Sequence, residues 1–292
     1  FLHSGDNLIS FPIEGSVEIS SSLPDDIEGS VSMIIGEGVA AINMGDAWEG
    51  SLSILSGGRG YWMNTTEDIS FAFDVSTMSR VKNDAVMGLT VPEGEEVYQS
   101  TQQAFYFIED ITLDGLPIAD GDWIFAYNGK ILVGARQWKG PFTDVPAMGD
   151  DGAIETSGYS KNGSTLTFKV RQEDSGTIYQ IMDSLPDWEN MTISTMGRLI
   201  AKAIPEKIMI DAAYPNPFNP VTHISFGIDT DAYVKVKVYN ITGKEIATLA
   251  DGTYFSGYHN LTWNADNFAS GMYFVRLEAG NFVQTQKLLL LK

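Results

Sequence analysis

From Thr222 to the C-terminus the chain alternates apolar and polar residues in short runs, and Gly and Asn separate the runs. Alternation suits an extended chain, whose successive side chains point to opposite faces. Val234, Val236 and Val238 make one face of such a run, and Lys235, Lys237 and Tyr239 make the other. Residues 222–228, 245–249, 257–264, 270–277 and 282–292 read the same way, with a turn at Asn240-Ile241-Thr242-Gly243-Lys244. Short strands between tight turns specify a small antiparallel sandwich. Ahead of them stands Tyr214-Pro215-Asn216-Pro217-Phe218-Asn219-Pro220. Its prolines fix φ and keep their neighbours out of the α region, so the run is expected to be stiff, extended and suited to linking two modules.

The order of these motifs is informative. The Tyr214–Pro220 run is followed by Val238-Tyr239-Asn240 with Gly243, then by Gly257, His259 and Trp263 on one strand. Gly271, Tyr273-Phe274 and Arg276-Leu277 share another, and a lysine lies near the terminus. Over about residues 208–292 this series resembles the type A C-terminal sorting domain of the type IX secretion system. The resemblance implies an immunoglobulin-like sandwich, the secretion machinery as a partner, export across the outer membrane and an extracellular or cell-surface location. It implies nothing about the work of the cargo.

A length of 292 residues suggests two or three domains. No run of eighteen apolar residues occurs, so no transmembrane helix is expected. The chain opens at Phe1 without a signal peptide and reads as a mature or truncated product whose leader is missing. With no cysteine, disulfides, thiolate metal sites and cysteine nucleophiles are excluded. The net charge of −20 is uneven: residues 205–292 hold seven Lys/Arg against eight Asp/Glu, and residues 1–204 hold eleven against thirty. So acidic a cargo repels nucleic acid and anionic headgroups, favours solubility and can attract cations.

Boundaries are expected near Thr77–Lys82 and Ile200–Lys207, giving three modules: a β-rich module at 1–80, an acidic β-rich module at 81–204 and the sandwich at 205–292. In the first, strands are expected at 5–12, 31–35, 39–43 and 69–73, with a short helical turn within 20–27. Asn7-Leu8-Ile9-Ser10-Phe11-Pro12, with Trp48-Glu49-Gly50-Ser51-Leu52 and Gly60-Tyr61-Trp62, resembles an uncharacterised module of exported proteins that carry such sorting domains. In the second, Asn128-Gly129 between two apolar runs is a strong hairpin signal, and Asn162-Gly163 is a second expected hairpin turn. Trp138-Lys139-Gly140 echoes Trp48-Glu49-Gly50, an echo read as coincidence.

Chemistry-bearing patterns are few. His3, His223 and His259 lack ligand spacing, and no nucleophile elbow, phosphate loop or dinucleotide fingerprint occurs. Asp120-Gly121-Asp122 and Gly149-Asp150-Asp151-Gly152 sit in expected loops, with Asp110, Asp114 and Asp144 as further carboxylates that could lie near them. Hard cations take several oxygens from such loops, so Asp120, Asp122, Asp150 and Asp151 are the candidate Ca2+ ligands. The bland alternative is that they are turn formers bonding local amides. Trp62 and Trp123 lie in apolar runs and are expected in the core. Trp48 and Trp138 lie in Gly-flanked turns and are the candidate contacts for a ligand or partner, although core packing is the commoner fate of either.

The expectation is an all-β, three-module exported surface protein, structural or adhesive, without enzymatic activity. No cofactor is implied beyond Ca2+ at the acidic loops. Self-association into a layer or filament is expected because many short strands offer pairable edges. Two rivals stand beside it: a carbohydrate-binding module of a larger secreted hydrolase, which would bind polysaccharide, and an enzyme whose two acidic loops converge in one cleft.

Overall fold

The computed structural model describes residues 1–12, 14–73, 80–81 and 88–292, and nearly every regular element in it is a strand. Of the boundary expected near Thr77–Lys82, only Arg80–Val81 falls among these residues. The chain divides into two compact units: Phe1–Gly176 with Gln180–Ala201, and Thr177–Tyr179 with Lys202–Lys292.

The first unit opens with β1 (Gly5–Ser10), β2 (Ser16–Glu18), the one-turn helices α1 (Ile19–Ser22) and α2 (Asp25–Glu28), β3 (Val31–Ile35), β4 (Ala40–Asn43), β5 (Trp48–Gly50), β6 (Ile54–Ser56), β7 (Gly60–Thr65) and β8 (Arg80–Val81). An antiparallel sheet runs β1-β7-β3-β4-β5, and a smaller one runs β6-β2-β8. The alternation expected at 69–73 does not become a strand. Only Ile69 bridges to Leu2, while Phe71 and Phe73 pack against the core, edge to face on each other, with Phe73 also edge to face on Phe11.

Apolar runs without alternation mark strands buried on both faces. In β3, Ile34 enters one core with Leu55, Tyr61 and Met63, and Ile35 enters another with Phe105 and Phe107. In β4, Ala41 and Ile42 divide between the same two clusters. The first unit therefore spans residues from both sides of position 80, joined by a shared apolar layer.

It continues with β9 (Gln103–Leu113), β10 (Leu116–Pro117), β11 (Trp123–Asn128), β12 (Ile131–Gln137), β13 (Thr143–Met148), β14 (Thr167–Arg171), β15 (Ile178–Ile181) and β16 (Ile193–Ile204), where the division between units falls within β15 and β16. β9 pairs antiparallel with β10 and β13 and parallel with β16. Asn128-Gly129 joins β11 to β12, as expected, with Gly129 at φ 60°. Asn162-Gly163 also turns the chain, with the Ser164 amide donating to the Lys161 carbonyl at 2.8 Å, but no hairpin of paired strands follows: Ser160 bridges Gly149 and Ser164 bridges Trp188. A Cβ at Gly134 would run into the Pro146 carbonyl, so only glycine lets β12 cross β13 this closely.

The second unit holds β17 (Met209–Ile210), β18 (Val221–Ile228), β19 (Ala232–Asn240), β20 (Glu245–Tyr254), β21 (Gly257–Asn264), β22 (Gly271–Ala279) and β23 (Phe282–Leu290). One sheet runs β17-β18-β21 and the other runs β20-β19-β22-β23, with antiparallel pairing throughout. Val234, Val236 and Val238 point inward with Ile224, Phe226, Val275 and Leu277, while Lys235 and Lys237 face outward. This is the antiparallel sandwich that the alternation demands.

Candidate functional site

The run Tyr214–Pro220 is docked into the sandwich and is not a free-standing connector. Two of its peptide bonds, Tyr214-Pro215 and Asn216-Pro217, are cis. Tyr214 exchanges backbone bonds with His223 of β18 at 3.0 and 2.9 Å. Asn216 uses its whole amide on β23: Nδ2 donates to the Lys287 carbonyl at 2.8 Å, and Oδ1 accepts from the Leu289 N–H at 2.9 Å. Phe218 is 2% exposed, its ring centroid 5.2 Å from that of Trp263. Its backbone N–H donates to Leu289, and its carbonyl accepts from Leu291. One short run thus bonds a strand of each sheet and sets an aromatic plug between them. Tyr214, 79% exposed, is left to solvent, as are Asn216, Pro217 and Asn219.

The two histidines of the sandwich have structural surroundings. His259 Nε2 lies 2.8 Å from the Phe255 carbonyl, and its ring stacks on Phe226. His223 Nδ1 lies 3.2 Å from the Thr262 hydroxyl.

The four candidate calcium ligands do not converge. Asp122 is buried and accepts from the amides of Ala119 and Glu173 at 3.1 and 3.0 Å. Asp120 is exposed in the same turn. Asp150 accepts from the Gly152 amide and pairs with Lys161 at 3.2 Å; these contacts, the amide first, hold its carboxyl below the ordinary range. Asp151 accepts from the Thr156 hydroxyl at 2.6 Å and from the Thr101 and Ala153 amides, which hold its carboxyl well below the ordinary range. Asp122 immediately precedes β11. Asn128, at its far end, donates to the Gly158 and Tyr159 carbonyls in the loop after Asp151. Six strand steps of about 3.3 Å put the two loops roughly 20 Å apart along the strand. Among the described residues, no three His, Asp or Glu groups gather with metal-binding geometry. Asp122, Asp150 and Asp151 cap amides of their own turns, and Asp122 and Asp151 also tie in the distant amides of Glu173 and Thr101. Asp110 pairs with Arg198 at 2.7 Å, and Asp144 is internal.

The tryptophans redistribute. Trp138 is 5% exposed, an interior side chain and not the surface one expected, and its backbone bonds Asp122 and Gly121. Trp48 is half-buried on the first core, and its Nε1 donates to Glu28 at 2.6 Å. Trp62, expected inside, is 39% exposed, and Trp123 is half-buried. The reason is period: Tyr61 and Met63 face the core, so Trp62 between them faces out. The alternation in β7 carried that signal, masked by the apolar look of Tyr61-Trp62-Met63.

A buried ion pair, absent from the sequence expectations, forms the floor of a cavity of about 660 Å3 also lined by Trp123, Gln137 and Phe142. Arg136 Nη2 lies 3.3 Å from Asp144 Oδ2 and donates to the Gly38 carbonyl at 2.7 Å. The Ser51 hydroxyl donates to the same carboxylate oxygen at 2.7 Å. Burial pushes the Asp144 carboxyl up, against the pull of Arg136 and Ser51.

A two-sheet tail closed by a plugged proline run thus follows an acidic β-rich body. Residues 212–291 match the family described as the secretion system C-terminal sorting domain, so this tail is a type IX sorting domain and the protein is sent to the extracellular space or cell surface. No curated protein matches the chain. Among solved structures, dimeric latent PorU from Porphyromonas gingivalis aligns at 11% identity with a TM-score of 0.25, over 90% of this chain and 30% of that one. Likeness at that level carries no argument, and this chain spans under a third of the PorU chain. Among the described residues, no helix is long and apolar enough to cross a membrane.

Proposed function

We propose that the exported cargo is a structural or adhesive surface protein, without a catalytic centre or bound cofactor, whose copies associate through strand edges into a layer or filament. The observation that carries this reading is β1. It ends its sheet, pairs only with β7 among the described strands, has no proline in its six residues and exposes Leu8 at 65%. Such an edge offers free backbone donors and acceptors to a strand of another copy. The separation of the two acidic pairs speaks against one catalytic cleft.

Charge opposes association, because the first 204 residues carry most of the net −20. Screening relieves this: the Debye length shrinks to about 8 Å at physiological ionic strength. Electron microscopy of the purified protein tests the reading. Regular polymers that grow with added salt support it; a monodisperse monomer at every salt concentration sinks it.

A second reading, a carbohydrate-binding module, is favoured by the exposure of Trp62 beside a polar wall.

A further inference from the structure

The outer face of the β1-β7-β3-β4-β5 sheet is only partly covered. Over β3 and β4 it is closed by Phe105 and Phe107, which pack on Ile35, Ala40 and Ile42. Towards β7 and β1 the cover stops. There Trp62 and Leu8, directly opposed across the strand pair, stand 39% and 65% exposed. They form the apolar wall of a groove of about 350 Å3.

The facing wall is polar and held in shape. Gln99 and Thr101 are exposed on it. The Asp151 carboxylate fixes Thr101, accepting from its amide at 3.0 Å and its hydroxyl at 3.3 Å. At the base, Gln103 is 6% exposed and ties the walls together: Nε2 donates to the Gly36 carbonyl, and Oε1 accepts from the Gly38 amide and from Gln99.

One aromatic wall and one wall of acceptor oxygens match the two-sided chemistry of a pyranose, whose C–H face lies on an indole and whose rim hydroxyls donate. The Gln99 amide nitrogen already donates to Ser100 and Gln103, and the Thr101 hydroxyl to Asp151, so this wall recognises hydroxyls by accepting. An acidic sugar is disfavoured, because Asp151 lies in the groove and the chain carries −20.

The geometry points to a binding site for a neutral pyranose polysaccharide in this groove, with Trp62 as the stacking platform and Gln99 and Thr101 as hydroxyl-recognising groups. This rests on the carbohydrate-binding reading and is independent of self-association. Trp48 and Trp138, the contacts expected from the sequence, do not line this groove.

Titrate the full chain with cellohexaose, laminarihexaose, mannohexaose and hexagalacturonate, following calorimetric heat and tryptophan fluorescence. At least one neutral hexasaccharide should bind, and hexagalacturonate should not. Trp62→Ala should weaken binding at least about tenfold, Trp62→Phe should restore part of it, and Gln99→Ala should weaken it with an unchanged melting temperature. If Trp62→Ala fails to fold, the other two variants decide. Neutral sugar bound equally by wild type, Trp62→Phe and Gln99→Ala overturns this site and leaves the carbohydrate reading standing. No binding of any neutral hexasaccharide at millimolar concentration overturns both. Binding of hexagalacturonate alone overturns the neutral class.

Discussion

The Arg136 guanidinium lies 3.3 Å from the Asp144 carboxylate, with the two side chains 5% and 2% exposed. Through Gly38 and Ser51 this pair fastens the β12–β13 region to the segments around β4 and β5. Breaking a buried pair from one side leaves an uncompensated charge. Arg136→Met should therefore cost about 3–5 kcal/mol in urea unfolding, and the double variant Arg136→Met/Asp144→Leu should recover much of it. The pH dependence has a definite sign. Burial already raises the Asp144 carboxyl, and loss of Arg136 raises it further. Stability from a raised carboxyl is present below its unfolded value and is lost as pH rises through its folded value. The Arg136→Met deficit should thus grow from acid towards neutral pH; a deficit constant with pH would refute the assignment.

Within the sorting tail, plug and surface residues should separate. Phe218→Ala opens a cavity beside Trp263 and should cost about 3–5 kcal/mol, seen as lost hydrogen-exchange protection across 212–291. Tyr214→Ala, at an exposed position, should stay within about 0.5 kcal/mol of wild type. Export assays on the two variants then distinguish failure to fold from failure to be recognised. If Phe218→Ala left protection unchanged, the docked reading of the run would be wrong.

Acid should weaken the loop around Asp151. Its carboxyl is held low by Thr156, Thr101 and Ala153, so the associated stability is present above the unfolded value near 4 and is lost as pH falls below it. The melting temperature of wild type should drop more steeply below about pH 4 than that of Asp151→Asn. Parallel acid profiles would exclude the effect.

Chelation should do little. Asp122, Asp150 and Asp151 are engaged by backbone amides, and their loops lie roughly 20 Å apart along β11, so neither EDTA nor added Ca2+ should shift the melting temperature. A rise on adding Ca2+ would reveal an ion site that these contacts do not account for.

Much of the backbone was legible. Strands β18 to β23 follow the alternation closely, and β3, β4 and the Asn128-Gly129 hairpin lie where short-range signals put them. Residues 69–73 alternate as cleanly yet form only one bridge, because a strand needs a neighbour as well as a period. The site was less legible. Gly-flanked Trp138 is buried, while Trp62, in an apolar run, is exposed beside polar groups from Gln99 to Asp151.

The sequence alone determined the all-β character, the sorting tail and hence the destination, since side-chain period and turn residues act over a few neighbours. Tertiary structure decided which tryptophan faces water, that Arg136 meets Asp144, and that the proline run is a clasp and not a linker. Those outcomes depend on burial and pairing between segments far apart in the chain, where strand partners and not local pattern set the free energy.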